Sequence, residues 1–168
     1  MKMKLMIVVV VIAVLVGAFV FMSGSKDVVI PMDEIVYVNN DYGFSFTLPE
    51  SWEGYSVTID KWTGNAPDDQ LGDTAFTDGP VVSIHNPLWT SENTYQDIPI
   101  MVFTIAQWDE LSAGKFHIGA APMNPSELSR NSVYVFALPA RYNYSFPIGY
   151  EEVEEILKLN PIKVFTPE

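Results

Sequence analysis

Apolar residues recur at every second position through much of this chain, the spacing of half-buried β-strands. "IVYVNNDYGFSFTLP", residues 35–49, reads as two short strands about Asn39-Asn40-Asp41, residues that tolerate tight turns. In the second, Phe44, Phe46 and Leu48 alternate with Ser45 and Thr47, which predicts one buried and one wet face; Pro49 ends it. "GYSVTIDKW" (54–62) alternates in the same way, with Tyr55, Val57 and Ile59 on one side, and "VVSIHNP" (81–87) predicts a fourth short strand. Two segments break the alternation. "IPIMVFTIAQW" is apolar on both faces from Ile100 to Ile105 except at Thr104, and "VYVFALPA" (133–140) has the same character. Both therefore read as central strands of a sheet covered on each side.

The period changes twice. "WDELSAG" (108–114) predicts a short turn of helix. Tyr150, Val153, Ile156 and Leu157 fall on one stripe at helical spacing, with Glu151, Glu152, Glu154 and Glu155 toward the N-terminal half and Lys158 near the end. Pro147 fits the first turn of this helix, Asn160-Pro161 stops it, and "IKVF" returns as a last strand. Residues 63–80, rich in Gly, Pro and Asp, read as a long loop, and Pro87 to Asp97 as a second one carrying Trp89.

One segment has no periodicity. Lys2 and Lys4 precede an uninterrupted apolar run, Leu5 to Met22, followed by Ser23-Gly24-Ser25. As a helix the run would be roughly 27 Å long, enough for a bilayer core. It reads as an uncleaved signal anchor, with a cleaved signal peptide as the alternative. The positive-inside rule leaves Lys2 and Lys4 in the cytoplasm and the rest of the chain outside. The expected organisation is a transmembrane anchor (1–22), a stalk (23–34, containing Pro31) and one extracytoplasmic domain (35–168).

The chain carries 21 acidic and nine basic residues, a net charge of −12. That balance argues against nucleic acid and anionic lipid surfaces as partners. There is no cysteine, which excludes disulfides, thiolate metal sites, a thiol nucleophile and a lipid anchor on sulfur. The exported part must be held by packing, and an aromatic content of 13% supplies the means.

"DYGFSFTLPESW" (41–52) resembles the opening hairpin of PsbP-like domains: Tyr-Gly-Phe, alternating apolar residues, Pro, then Trp three residues on. "VVSIHNP" and "YEEVEEILKLNPIKVF" are similar to that family's next strand and its terminal helix–strand unit, while "DIPIMVFTIAQWDEL" and "NSVYVFALPARYNYSFP" look like segments of exported bacterial relatives. The resemblance implies an α+β sandwich, an antiparallel sheet with flanking helices.

Candidate chemistry is sparse. No Gly-x-Ser-x-Gly elbow and no Gly-rich phosphate loop occurs, so no cofactor is expected. The two histidines, His85 and His117, fit strand positions and lack a His-x-x-x-His pair. Asp68, Asp69, Asp73 and Asp78 give a loop with calcium-like oxygen donors, although not at the spacing of a calcium loop. Asp109-Glu110 are sequence neighbours that point apart on one helical turn, a poor start for glycoside hydrolysis. Asn143-Tyr144-Ser145 matches the glycosylation sequon. Of the tryptophans, Trp62, Trp89 and Trp108 raise the question of exposed contacts; Trp108 is expected to cap the core and Trp89 to be the contact residue. In "ALPARYNYSFPIGYEEVEEI" (137–156), continued strand alternation would send Tyr142, Tyr144 and Phe146 to the core. Arg141 would then meet the acidic face of the final helix or, alternatively, an anionic ligand beside Tyr142 and Tyr144. The expected function is a membrane-anchored, extracytoplasmic binding or accessory domain with a protein partner at the outer membrane face. The alternatives are an envelope-directed hydrolase using His117 or His85 with a carboxylate, and a structural spacer.

Overall fold

The computed structural model describes residues 34–67, 75–119 and 123–168. Two hydrophobic clusters lie on opposite faces of one six-stranded antiparallel sheet. The strands run β1 (Ile35–Asn39), β2 (Phe44–Leu48), β3 (Ser56–Asn65), β4 (Ala75–His85), β5 (Ile98–Thr104), β6 (His117–Ile118), β7 (Ser126–Arg130), β8 (Tyr134–Leu138) and β9 (Ile162–Val164). The helices are α1 (Ile105–Ser112) and α2 (Tyr150–Lys158), with a short 3-10 turn at Glu50–Trp52. The large sheet has the order β6-β3-β4-β5-β8-β7, and β1-β2-β9 form a smaller sheet. Over the described residues the fold is α+β, mostly antiparallel sheet with two helices. The expected anchor (1–22), nearly all of the stalk, and Asp68, Asp69 and Asp73 lie outside the described residues. Among the described residues no helix is long and apolar enough to cross a membrane.

Strand alternation sorts the core. Val82 and Ile84 of β4, Ile98, Ile100 and Val102 of β5, and Phe136 of β8 face Phe44, Phe46 and Leu48 of β2, Trp52, and Val153 and Ile156 of α2. The opposite face carries Trp62, Met101, Phe103, Val135 and Ala137, closed by Leu111 of α1 and by Phe116. Burying each large side chain is worth about 1.5–3 kcal/mol, so both layers contribute to the fold. β5 and β8 are central, as their two-sided apolar pattern demands.

Three expectations about the elements are corrected. Residues 63–80 are not one loop: β3 continues to Asn65 and β4 starts at Ala75, with register partners from Ser56↔His85 to Asn65↔Ala75. Gly64 and Gly79 sit in strand here because a Cβ at Gly79 would lie 2.6 Å from the Trp62 ring and one at Gly64 would collide with Phe116. Glycine makes room for two large rings on that face, and Trp62 is accordingly buried. Second, α1 begins at Ile105 rather than at Trp108. A capping box starts it early: the Thr104 hydroxyl accepts from the Gln107 N–H (3.2 Å) and the Gln107 side chain accepts from the Thr104 N–H (2.9 Å). Third, α2 starts at Tyr150, capped by Gly149 at φ 85°, so Pro147 precedes the helix.

Candidate functional site

The start of β3, the end of β4 and the residue before β5 bring three polar side chains, Thr58, His85 and Asp97, into line on the α1 side of the large sheet. His85 is the last residue of β4 and pairs with Ser56, two residues along β3 from the Thr58↔Ser83 pair. Its Nε2 lies 2.8 Å from Thr58 Oγ1, and its Nδ1 lies 2.8 Å from Asp97 Oδ2. Asp97 Oδ1 also accepts from the Asn86 N–H at 3.3 Å. A carboxylate accepts only, so Nδ1 carries the ring hydrogen; in the neutral imidazole Nε2 then accepts from the Thr58 hydroxyl. The ring is held from both sides and its tautomer is set.

Asn86 carries the chain away from this row. Its buried side-chain oxygen accepts from the Leu88 N–H (2.9 Å), and its carbonyl accepts from the Trp89 N–H (3.0 Å). The resulting turn sets the Trp89 ring 6.1 Å from the His85 ring at an interplanar angle of 52°, while leaving it 43% exposed. Together Gly54, Ser56, Thr58, His85, Asn86, Pro87 and Trp89 line a cleft of about 380 Å³. This volume lies toward the lower end of the range for small-molecule clefts, about 300–1,000 Å³. Among the described residues no lysine, arginine, aspartate or glutamate lines it.

The other candidate binding residues lie apart from this cleft. Arg141, Tyr142 and Tyr144 lie on the turn between β8 and α2 and line no part of the cleft. Strand alternation stops at Arg141, which has φ 58°, and Phe146 follows at φ 48°. Only Tyr142 packs against the core; Tyr144 is 72% exposed and Phe146 67%. Burial, with the Glu154 charge nearby, pushes the Tyr142 phenol above its usual range. Among the described residues no carboxylate lies within ion-pair distance of Arg141, whose guanidinium sits 5.5 Å from the Tyr144 ring centroid. The side chain that meets the acidic face of α2 is Asn143, whose Nδ2 donates to Glu154 Oε1 at 2.8 Å. Arg141→Ala should therefore melt within about a degree of the parent. Asn143→Ala should lose about 1 kcal/mol. A thermal melt of both variants checks this reversal.

The remaining candidates separate clearly. His117 pairs with Asn65 at the sheet edge, and no described carboxylate partners it. Asp78 is bound to Lys61 at 2.8 Å, and the described residues contain no cluster of three or more potential metal ligands. Trp108 covers the second cluster, edge-on to Phe103 at 5.3 Å. The sequence reading missed Thr58 and Asp97 because they lie 27 and 12 residues from His85. The available signal was register: pairing "GYSVTIDKW" with "VVSIHNP" places threonine diagonally beside histidine. No protein-family model, no curated protein and no solved structure matches this chain.

Proposed function

We propose that this protein is a membrane-anchored, extracytoplasmic binding or accessory domain of PsbP-like type, without catalytic activity, that makes contact through the Trp89 cleft. The anchor is the apolar run Leu5 to Met22 behind Lys2 and Lys4. The observation that carries the reading is Trp89: a large ring kept 43% exposed at the wall of a cleft by an ordered turn. Exposing such a ring costs burial energy that the core offers to Trp52 and Trp62, so a contact is the natural reason for it. A second apolar surface, Tyr144, Phe146 and Ile148, stands on the turn beside Arg141 and is where a protein subunit of a membrane or envelope complex would dock.

The row Thr58–His85–Asp97 favours a second reading, hydrolysis, because it has the order hydroxyl, imidazole, carboxylate. Thr58 is, however, a β-branched residue within a strand rather than on an exposed elbow, and no arginine or lysine among the described residues lines the cleft to hold a developing negative charge. One experiment separates the readings. The full-length chain is incubated with purified cell-envelope material and sedimented, and in parallel with a fluorophosphonate that traps activated hydroxyls. Binding predicts co-sedimentation that Trp89→Ala reduces by about tenfold, with no covalent adduct. An adduct on Thr58 that Asp97→Asn abolishes would move the protein to the hydrolases.

A further inference from the structure

Resting on the cleft as the contact site, we infer that its ligand is a neutral saccharide unit of an envelope polymer. Three features of the cleft converge on that chemistry. The first is charge. In a chain with 21 acidic residues the lining is Gly, Ser, Thr, His, Asn, Pro and Trp. The carboxylate behind His85, Asp97, is committed to His85 Nδ1 and the Asn86 N–H, so it is not offered to a cation. An anionic ligand would find no lysine or arginine among the described lining residues and a net negative protein around it. An uncharged ligand meets neither penalty.

The second feature is the pattern of donors and acceptors. With the Thr58 hydrogen directed at His85 Nε2 in the neutral ring, Thr58 Oγ1 presents lone pairs to the cleft. Ser56 stands two residues away on the same strand face, about 6.6 Å along the strand, with a hydroxyl free to rotate as donor or acceptor. Two hydroxyls at that separation span a pyranose ring and its substituents. The third feature is shape. Trp89 supplies one flat apolar wall, Pro87 lines the cleft beside it, and Gly54, where a Cβ would lie 4.0 Å from Pro87 Cβ, adds no side chain to the lining. A sugar ring has the matching anatomy: hydroxyls at its rim and a C–H face that packs on an indole. A purely apolar ligand would desolvate Ser56 and Thr58 without replacing their hydrogen bonds, at a cost.

The test uses the full-length chain in a detergent without a sugar headgroup. The probes are neutral tetrasaccharides of β-linked glucose and β-linked N-acetylglucosamine, a β-linked glucuronate tetrasaccharide and spermidine, followed by saturation-transfer NMR and calorimetry. At least one neutral tetrasaccharide should bind with millimolar or tighter affinity. Trp89→Ala should weaken it by about tenfold or more, and Trp89→Phe by less. Tighter binding of the glucuronate or of spermidine overturns the assignment. So does saturating concentration dependence in none of the neutral probes up to about 10 mM, or equal binding by parent and Trp89→Ala. If envelope material still sediments with the chain in a Trp89-dependent way while no neutral saccharide binds, the contact reading stands and the saccharide assignment falls. Loss of both signals removes both.

Discussion

Trp62→Ala should cost about 3–5 kcal/mol and lower the melting temperature by roughly 10 °C. The ring is 4% exposed and stacked between Phe103, at 4.4 Å and 30°, and Phe116, at 6.1 Å and 4°. Its Nε1 donates to the Val102 carbonyl at 2.9 Å, across β4 to β5. Truncation removes the indole surface from the smaller cluster and leaves a cavity between two rings that glycines at 64 and 79 cannot fill. Trp62→Phe keeps an aromatic layer but loses the indole donor, so it should recover part of the loss and remain about 1–3 kcal/mol below the parent. Urea titration reads both: the midpoint should fall with the slope unchanged. A Trp62→Ala midpoint close to that of the parent would mean that this face of the sheet contributes little to stability.

Gly43→Ala should be the other severe substitution, and a second glycine shows why. Gly43 adopts φ +71°, and a Cβ there would meet Phe165 O at 2.5 Å, Pro167 N at 2.7 Å and Asn131 Nδ2 at 3.0 Å. Two of those neighbours are backbone of the C-terminal segment, which cannot rotate aside as a side chain can. The same segment is tied to Gly43 by the Phe165 N–H on the Gly43 carbonyl at 2.9 Å, and Asn131 Nδ2 donates to that carbonyl at 3.2 Å. Gly114 has nearly the same φ, +70°, with nothing within 4 Å of a Cβ. Gly114→Ala should therefore cost only the left-handed backbone penalty, about 1–2 kcal/mol. Gly43→Ala adds displacement of the C-terminal segment, for a total of about 2–5 kcal/mol. Equal melting temperatures for the two variants would remove the steric part of the argument.

The layers were legible where one face of a strand is wet. Phe44, Phe46 and Leu48 announce β2, and Val153 and Ile156 announce the buried stripe of α2, because period alone sorts them. Legibility failed where glycine had two meanings. Gly64, Gly79 and the prolines and aspartates around them look like turn residues, yet two of the glycines serve rings that arrive from elsewhere in the chain. It failed again at Arg141. The aromatic alternation from Tyr142 to Phe146 imitates a strand, but positive φ at Arg141 and Phe146 turns the chain and leaves two rings outside. Of the candidate site, Trp89 and His85 were visible as residues in a loop and a strand. Their junction with Thr58 and Asp97 depends on strand register, which no local pattern encodes.

Register also gives the His85–Asp97 contact a role in assembly. On a strand with one wet face, a slip of one residue turns the apolar set toward water and is rejected at once. β5 has no such check along Ile98 to Phe103, where both faces are apolar; a slipped strand would still bury oil in oil. What distinguishes the true alignment is size, since Ile98, Ile100 and Val102 serve one side and Met101 and Phe103 the other. Two polar fasteners stand at the ends of that ambiguous stretch: Asp97 on His85 before it, and after it Gln107, whose side-chain amide donates to Thr77 Oγ1 (2.9 Å) and to the Asp78 carbonyl (3.0 Å) of β4. A slip of one residue breaks both together, so the pair that orients the cleft also indexes the central strand.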